Sequence, residues 1–291
     1  MISLLLAVNR MDTRFWGPSG WKLLHLITFT YSYSIETALS YAAFFDTIPY
    51  ILPCKFCRAS LTDYYRQHPF QIPKEGMNPI LDIRRWMYII HNCVNHKLKK
   101  QGLHPHHSPS YSQVHDTYTR LAESSWEDQL MLFWDFLFAV AYHHPKEAAY
   151  DSKPLPDCPK GIAQCKNTCE KNKWNLLPWR QRMYWYRRFW VFLPAVLPAT
   201  LSEQWKKQEK RNPPIFTCRR SMLAWLWRMR CGLDRTFHDP YTSVCKAIAG
   251  YSSDCGRSRD AITCRSKRII RKTRRNKTLK KQKNKESRQN G

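Results

Sequence analysis

Pro53-Cys54-Lys55-Phe56-Cys57-Arg58 constrains the fold of this chain more than any other stretch. Two cysteines at C-x-x-C spacing can close a reactive disulfide at the first turn of a helix, and Pro53 suits the entry to that helix because it needs no donor there. At a helix N-terminus the unpaired backbone N–H groups and the helix dipole lower a thiol's pKa and favour thiolate. The spacing alone is shared by redox pairs, half-built zinc sites and chance pairs, so the surroundings decide.

Trp16-Gly17-Pro18-Ser19-Gly20-Trp21 reads as a turn entering a helix over about 22–33, where Trp21, Leu24, His25 and Thr28 recur at three and four residues. His25 falls on the face of Trp21, and a core histidine is its plain reading. A second helix is expected over about 35–50, ending near Pro49 and Pro53, and a third over about 54–67, closed by His68-Pro69. Residues 71–79 read as a loop. The next helix, from Trp86 to Lys100, places His91, Asn92 and Asn95 on one flank. If buried, these polar groups need partners such as a flavin–adenine cofactor supplies; if exposed, they are the solvated side of an amphipathic helix. Ser110 caps a last helix containing Tyr111, Val114 and Tyr118.

A chain of 291 residues has room for two domains. With 14% aromatic residues, twelve Trp and only nine Gly, it reads as folded and helix-rich over most of its length. No apolar run reaches the roughly 18 residues that span a bilayer. The short apolar start from Ile2 to Val8 has no basic residue before it and no small-residue cleavage site, so no signal peptide is expected, and Met11 is an alternative start. The net charge of +26 is uneven: Arg265 to Lys285 holds twelve basic residues and no acidic one. Such a low-complexity tail suits nucleic acid, nuclear import or an acidic surface, or simply solubilises the chain. Eleven cysteines without a secretion signal argue for thiol or metal chemistry rather than a disulfide framework.

Taken together, Trp16-Gly-x-x-x-Trp21-x-x-x-His25, Pro53-Cys54-x-x-Cys57, and Trp86 with His91-Asn92-x-Val94-Asn95-x-x-Leu98-x-Lys100 resemble the Erv/ALR family of FAD-linked sulfhydryl oxidases over about residues 14–121. The resemblance implies an all-α fold, a four-helix bundle plus a short fifth helix, with FAD as cofactor. It implies that Cys54 exchanges outwardly with substrate thiols while Cys57 lies against the flavin. Trp16, Gly17, Trp21 and His25 would form the first-helix wall of the flavin pocket. His91, Asn92, Val94, Asn95, Lys97, Leu98 and Lys100 would hold the adenine, ribose and phosphates, and Tyr118 stands where many relatives carry Trp. Cellular relatives also carry a structural cysteine pair; here Cys93 is the only other cysteine of this region.

The second half echoes the first. Trp134 to Tyr142 resembles Trp21 to Phe29, Leu193 to Ala199 falls where Leu52 to Arg58 would, Trp225 to Asp234 resembles Trp86 to Asn95, and Asp239 to Val244 resembles Pro109 to Val114. The expectation is a cofactor-free bundle similar to the pseudo-oxidase domain of quiescin-type oxidases, with Ala195 and Pro198 in place of the redox cysteines and Arg230 and Cys231 in place of His-Asn. An unrelated helical domain is the competing reading. The expected organisation is an extension without structure over 1–13, the oxidase domain over 14–122, the second helical domain over 123–255 and a disordered basic tail over 256–291. Cys165 and Cys169 form a candidate relay pair, against a local disulfide or free thiols, with Cys255 and Cys264 a second candidate.

The function these observations imply is oxidation of client thiols through Cys54–Cys57 and FAD to molecular oxygen. A zinc-containing nucleic-acid-binding protein, with cysteine ligands and the basic tail as contact, is the alternative. The oligomer is expected as a monomer with an internal pseudo-dimer or as a homodimer. The resemblance to versions in large DNA viruses implies host cytoplasm or virion.

Overall fold

The computed structural model describes residues 10–71, 78–103, 108–145 and 179–253. Among these the chain is helical, as expected, apart from a short antiparallel pairing of β1 (Arg10–Met11) with β2 (Ser252–Ser253). The first half forms α1 (Thr13–Phe29), α2 (Ile35–Phe45), α3 (Ile48–Ile51), α4 (Lys55–Gln67), α5 (Pro79–Lys100) and α6 (Tyr111–Ala122). The second forms α7 (Trp126–Met131), α8 (Trp134–Tyr142), α9 (Trp179–Val196), α10 (Ala199–Arg211), α11 (Arg219–Leu233) and α12 (Tyr241–Gly250).

Local chemistry sets the boundaries, and corrects several expected ones. α1 starts at Thr13 because the buried Asp12 caps it, accepting from the Arg14 backbone N–H at 2.9 Å and from the Arg14 guanidinium at 2.6 Å. Trp16-Gly17-Pro18 therefore lies inside the helix, and residues 10–13 are part of the fold rather than of an extension without structure. The single helix expected over 35–50 is two. Pro49 has no N–H to continue the α2 ladder, so the chain turns at Asp46-Thr47 and restarts as α3. α6 begins as expected, with Ser110 and Gln113 closing a reciprocal capping box.

α1 is buried on all sides from Leu23 to Phe29 because α5 and α6 cover one side and α8 the other. The close approach of α1 and α8 depends on Gly20, where a Cβ would meet the Phe136 ring at 3.0 Å. α2 and α3 lie along α9, with Phe44 of α2 against Phe189 at 5.4 Å and Tyr50 of α3 stacked on Trp185 at 4.1 Å. One hydrophobic core thus runs through both halves, where two separately cored domains were expected.

The two halves repeat each other's contacts. α1 packs on α5 and α6, and α4 on α5; in the second half α8 packs on α11 and α12, and α10 on α11. The Trp86 indole N–H donates to His68 O at 2.9 Å, and the Trp225 indole N–H donates to Asn212 O at the same 2.9 Å. Tyr88 donates to Pro109 O at 3.2 Å and Trp227 to Asp239 O at 3.0 Å, each residue before the cap of the following helix. α4 and α10 both span 13 residues and stop two residues before a proline, Pro69 or Pro213. Matching caps put Pro198 opposite Cys54 and Leu201 opposite Cys57. This shifts by one turn the expected pairing with Ala195 and Pro198, because α9 continues through Pro194 to Val196.

Candidate redox site

Cys54 is the N-cap of α4, in extended conformation, and its Sγ accepts from the Cys57 backbone N–H at 3.3 Å. Burial pushes the Cys54 thiol up, but hydrogen bonds from Cys57 and the charges of Lys97 and Arg58 outweigh it and bring it down to about 7. The proton is held by Cys57, which its hydrogen bond to Cys54, and then burial, push well above the usual thiol range. The reduced pair thus carries its charge on Cys54. Cys54 is only 1% exposed, packed among Ile48, Ile51 and Leu52, while Cys57 is half-buried. The outward placement expected for Cys54 is therefore not what the fold presents: the cap position draws it behind the first turn of α4.

Both cysteines line a cavity of about 510 Å³ between α1, α4 and α5, which Tyr118 of α6 also borders. Trp16, Gly17 and Trp21 form its α1 wall, and His91, Val94, Asn95, Lys97 and Leu98 its α5 wall. Trp21 stacks on His91 at 3.9 Å, and His25 on Tyr118 at 4.6 Å. His25 is fully buried, and its Nε2 shares a 2.9 Å hydrogen bond with His91 Nδ1. Burial, and then His91, hold His25 well below the ordinary histidine range, so His25 stays neutral near pH 7. His25 is thus the buried histidine expected, and also the rear support of the α5 wall.

Three expected residues, His25, Asn92 and Lys100, do not line this cavity. Asn92 accepts from Asn95 at 3.4 Å but opens onto a separate polar cleft beside His96, Ser110 and Gln113. Lys100 is exposed in the last turn of α5. Lys97, expected at phosphates, bonds Ser60 Oγ at 2.9 Å and reaches Phe56 O at 3.5 Å, beside the cysteines. Cys165, Cys169, Cys255 and Cys264 lie outside the described residues, as does the 265–285 tail. Sequence reasoning missed Ser60, Tyr65 and Phe136 as cavity residues. Ser60, one turn after Cys57, was visible as a helical neighbour; Phe136 comes from the second half and carried no local signal.

Residues 18–116 match the model of the Erv1/Alr family. A FAD-linked sulfhydryl oxidase of African swine fever virus is 31% identical over 88 residues, which cover 30% of this chain and 70% of that protein. The chain belongs to the Erv1/Alr family. Within it, a putative FAD-linked sulfhydryl oxidase of Invertebrate iridescent virus 6 is 30% identical over 96 residues, 31% of this chain and 85% of that protein. A probable FAD-linked sulfhydryl oxidase of Acanthamoeba polyphaga mimivirus is 30% identical over 95 residues, 32% of this chain, and the match spans 65% of that relative's length. No solved structure matches the chain significantly.

The cavity suits an aromatic dinucleotide cofactor. Its lining is mostly apolar and aromatic, and a Cβ on Gly17 would meet nothing within 4 Å. The buried Trp16 Nε1 and His25 Nδ1 have no hydrogen-bond partner among the described residues, which leaves polar groups beside the cavity for a ligand to satisfy. No group of three or more His, Cys, Asp or Glu gathers there to hold a metal ion among the described residues, so the zinc alternative gains no support.

Proposed function

We propose that this chain is an FAD-linked sulfhydryl oxidase that forms disulfides in client proteins. The observation that carries the reading is that Cys54 and Cys57 border the same cavity as Trp21, His91 and Tyr118, so a dithiol and an aromatic cofactor wall share one space. The names of the viral relatives support it.

In this reading a client thiolate attacks the Cys54–Cys57 disulfide at Cys54, the S–S bond breaks, and Cys57 leaves as thiolate. A second client thiol attacks the mixed disulfide, releasing the client disulfide and leaving Cys54 reduced. Because Cys54 is 1% exposed, this exchange needs the Pro53-Cys54 turn to open toward the client. The hydrogen bond from the Cys57 N–H and the charges of Lys97 and Arg58 then hold the thiolate that remains. FAD bound between Trp21, His91, Asn95 and Tyr118 would take the electron pair from the dithiol and pass it to oxygen, giving hydrogen peroxide. The bond from the neutral His25 to His91 fixes the α5 wall from behind.

We read the second half as a degenerate copy that replaces a second subunit: α8 covers α1 and α9 covers α2, with no cysteine at Pro198 or Leu201. No helix of the described residues is long and apolar enough to cross a membrane. The viral relatives support a setting in host cytoplasm or virion, and the 265–285 tail supports contact with nucleic acid or another acidic surface. The test is the absorbance of the purified chain. FAD released on denaturation at about one per chain is expected; a colourless protein carrying stoichiometric zinc overturns the reading.

A further inference from the structure

Arg58 is a cation kept inside the protein beside the redox turn, with a relative exposure of 7%. It stands one helical turn after Cys54. Side chains on a helix lean toward its N-terminus, so a residue four positions on lies over the cap. The bond it makes fixes that direction: Arg58 Nη1 donates to Leu52 O at 2.6 Å, two residues before Cys54. That bond carries the guanidinium back past the first turn of α4 to the segment that leads into Cys54. The neighbouring carbonyl is held from the second half, where the fully buried Tyr186 donates to Ile51 O at 3.4 Å.

We propose that Arg58 is the positioning residue of the redox turn, its buried charge favouring thiolate in the reduced pair while its bond to Leu52 fixes the turn before Cys54. This rests on the reading of Cys54 and Cys57 as the redox pair. A buried guanidinium cannot be neutralised at ordinary pH, so its field persists through every redox state of the dithiol. It favours thiolate, and a stabilised Cys54 thiolate makes the pair easier to reduce by client thiols. Other groups share the surroundings. Lys97 faces the cysteines from α5, with His91 farther along that wall; Arg14 and Lys22 line the cavity from α1; Tyr64 stands beside Cys57 on α4; Tyr186 faces Arg58 from α9. Of these, Lys97 and Arg58 are the cations that bear on both thiols.

The test reads the thiol directly, so it stands apart from whether the chain oxidises anything. The reduced full-length chain is alkylated with iodoacetamide across pH, and the rate at Cys54 is followed by mass spectrometry. Arg58→Gln keeps an N–H donor and removes the charge; it is expected to raise the Cys54 midpoint by about one pH unit, so that the thiolate fraction falls up to about tenfold. Arg58→Lys keeps the charge and is expected to stay near the parent profile. Unchanged profiles in both variants, or equal shifts in both, overturn the proposal. A second reading leaves Arg58 in place in case the neutral variant does not fold. In Lys97→Met, anionic iodoacetate is expected to gain on neutral iodoacetamide at Cys54 relative to their ratio on free cysteine, and an identical ratio overturns the proposal.

Discussion

Cys54 does two jobs, capping α4 and holding the charge of the dithiol. Serine is a good N-cap, so Cys54→Ser is expected to change stability by no more than about 1 kcal/mol in thermal unfolding while abolishing thiol oxidation. A large loss of stability would instead assign Cys54 a packing role. His144 gives a second prediction. Burial, only partly offset by the bond to Pro145 O and helped by the charge of Arg187, brings its pKa down to about 4. A depressed histidine contributes its full stability above the unfolded value of about 6.5 and loses it as pH falls toward the folded value. The loss between pH 6.5 and 4 is on the order of 3 kcal/mol, and His25 acts in the same direction. Denaturant titrations across that range are expected to show a shallower slope in His144→Asn. The C-x-x-C and the helix start beside it were legible in the sequence because spacing and Pro53 act locally. Arg58 was not, since only the fold shows that its charge is buried.

At the scale of elements, a helix start marked by a local cap was readable, as at Ser110. The start of α1 was not, because Asp12 works as a cap only once Arg14 closes on its carboxylate and the fold buries it. The echo read in the second half falls one turn off the matching helix caps, because it aligned Leu193-Pro194 with Leu52-Pro53 while Pro194 is carried inside α9. The shared indole bonds make the repeat measurable. Trp86→Phe and Trp225→Phe each remove a donor to the carbonyl ending the preceding helix, His68 or Asn212, and each is expected to cost about 1–3 kcal/mol. Similar losses in denaturant titrations support equivalent roles; a neutral Trp225→Phe argues against them. Gly20→Ala sets its Cβ 3.0 Å from Phe136 and is expected to destabilise by about 1–3 kcal/mol.

At the scale of the molecule, the core does not divide at residue 122. Phe136 packs on Gly20 and Phe189 on Phe44, so the first half presents apolar faces that only the second covers. Calorimetry of the full chain is expected to give one cooperative transition, and two resolved transitions would show separable domains. The central claim is that electrons leave client thiols through one pair, Cys54–Cys57. Its most direct test is oxygen uptake by the purified chain with dithiothreitol as thiol donor, beside the same chain carrying Cys57→Ser. The account predicts uptake with matching hydrogen peroxide in the parent, and none in the variant although it keeps its flavin. Undiminished uptake by Cys57→Ser would contradict it.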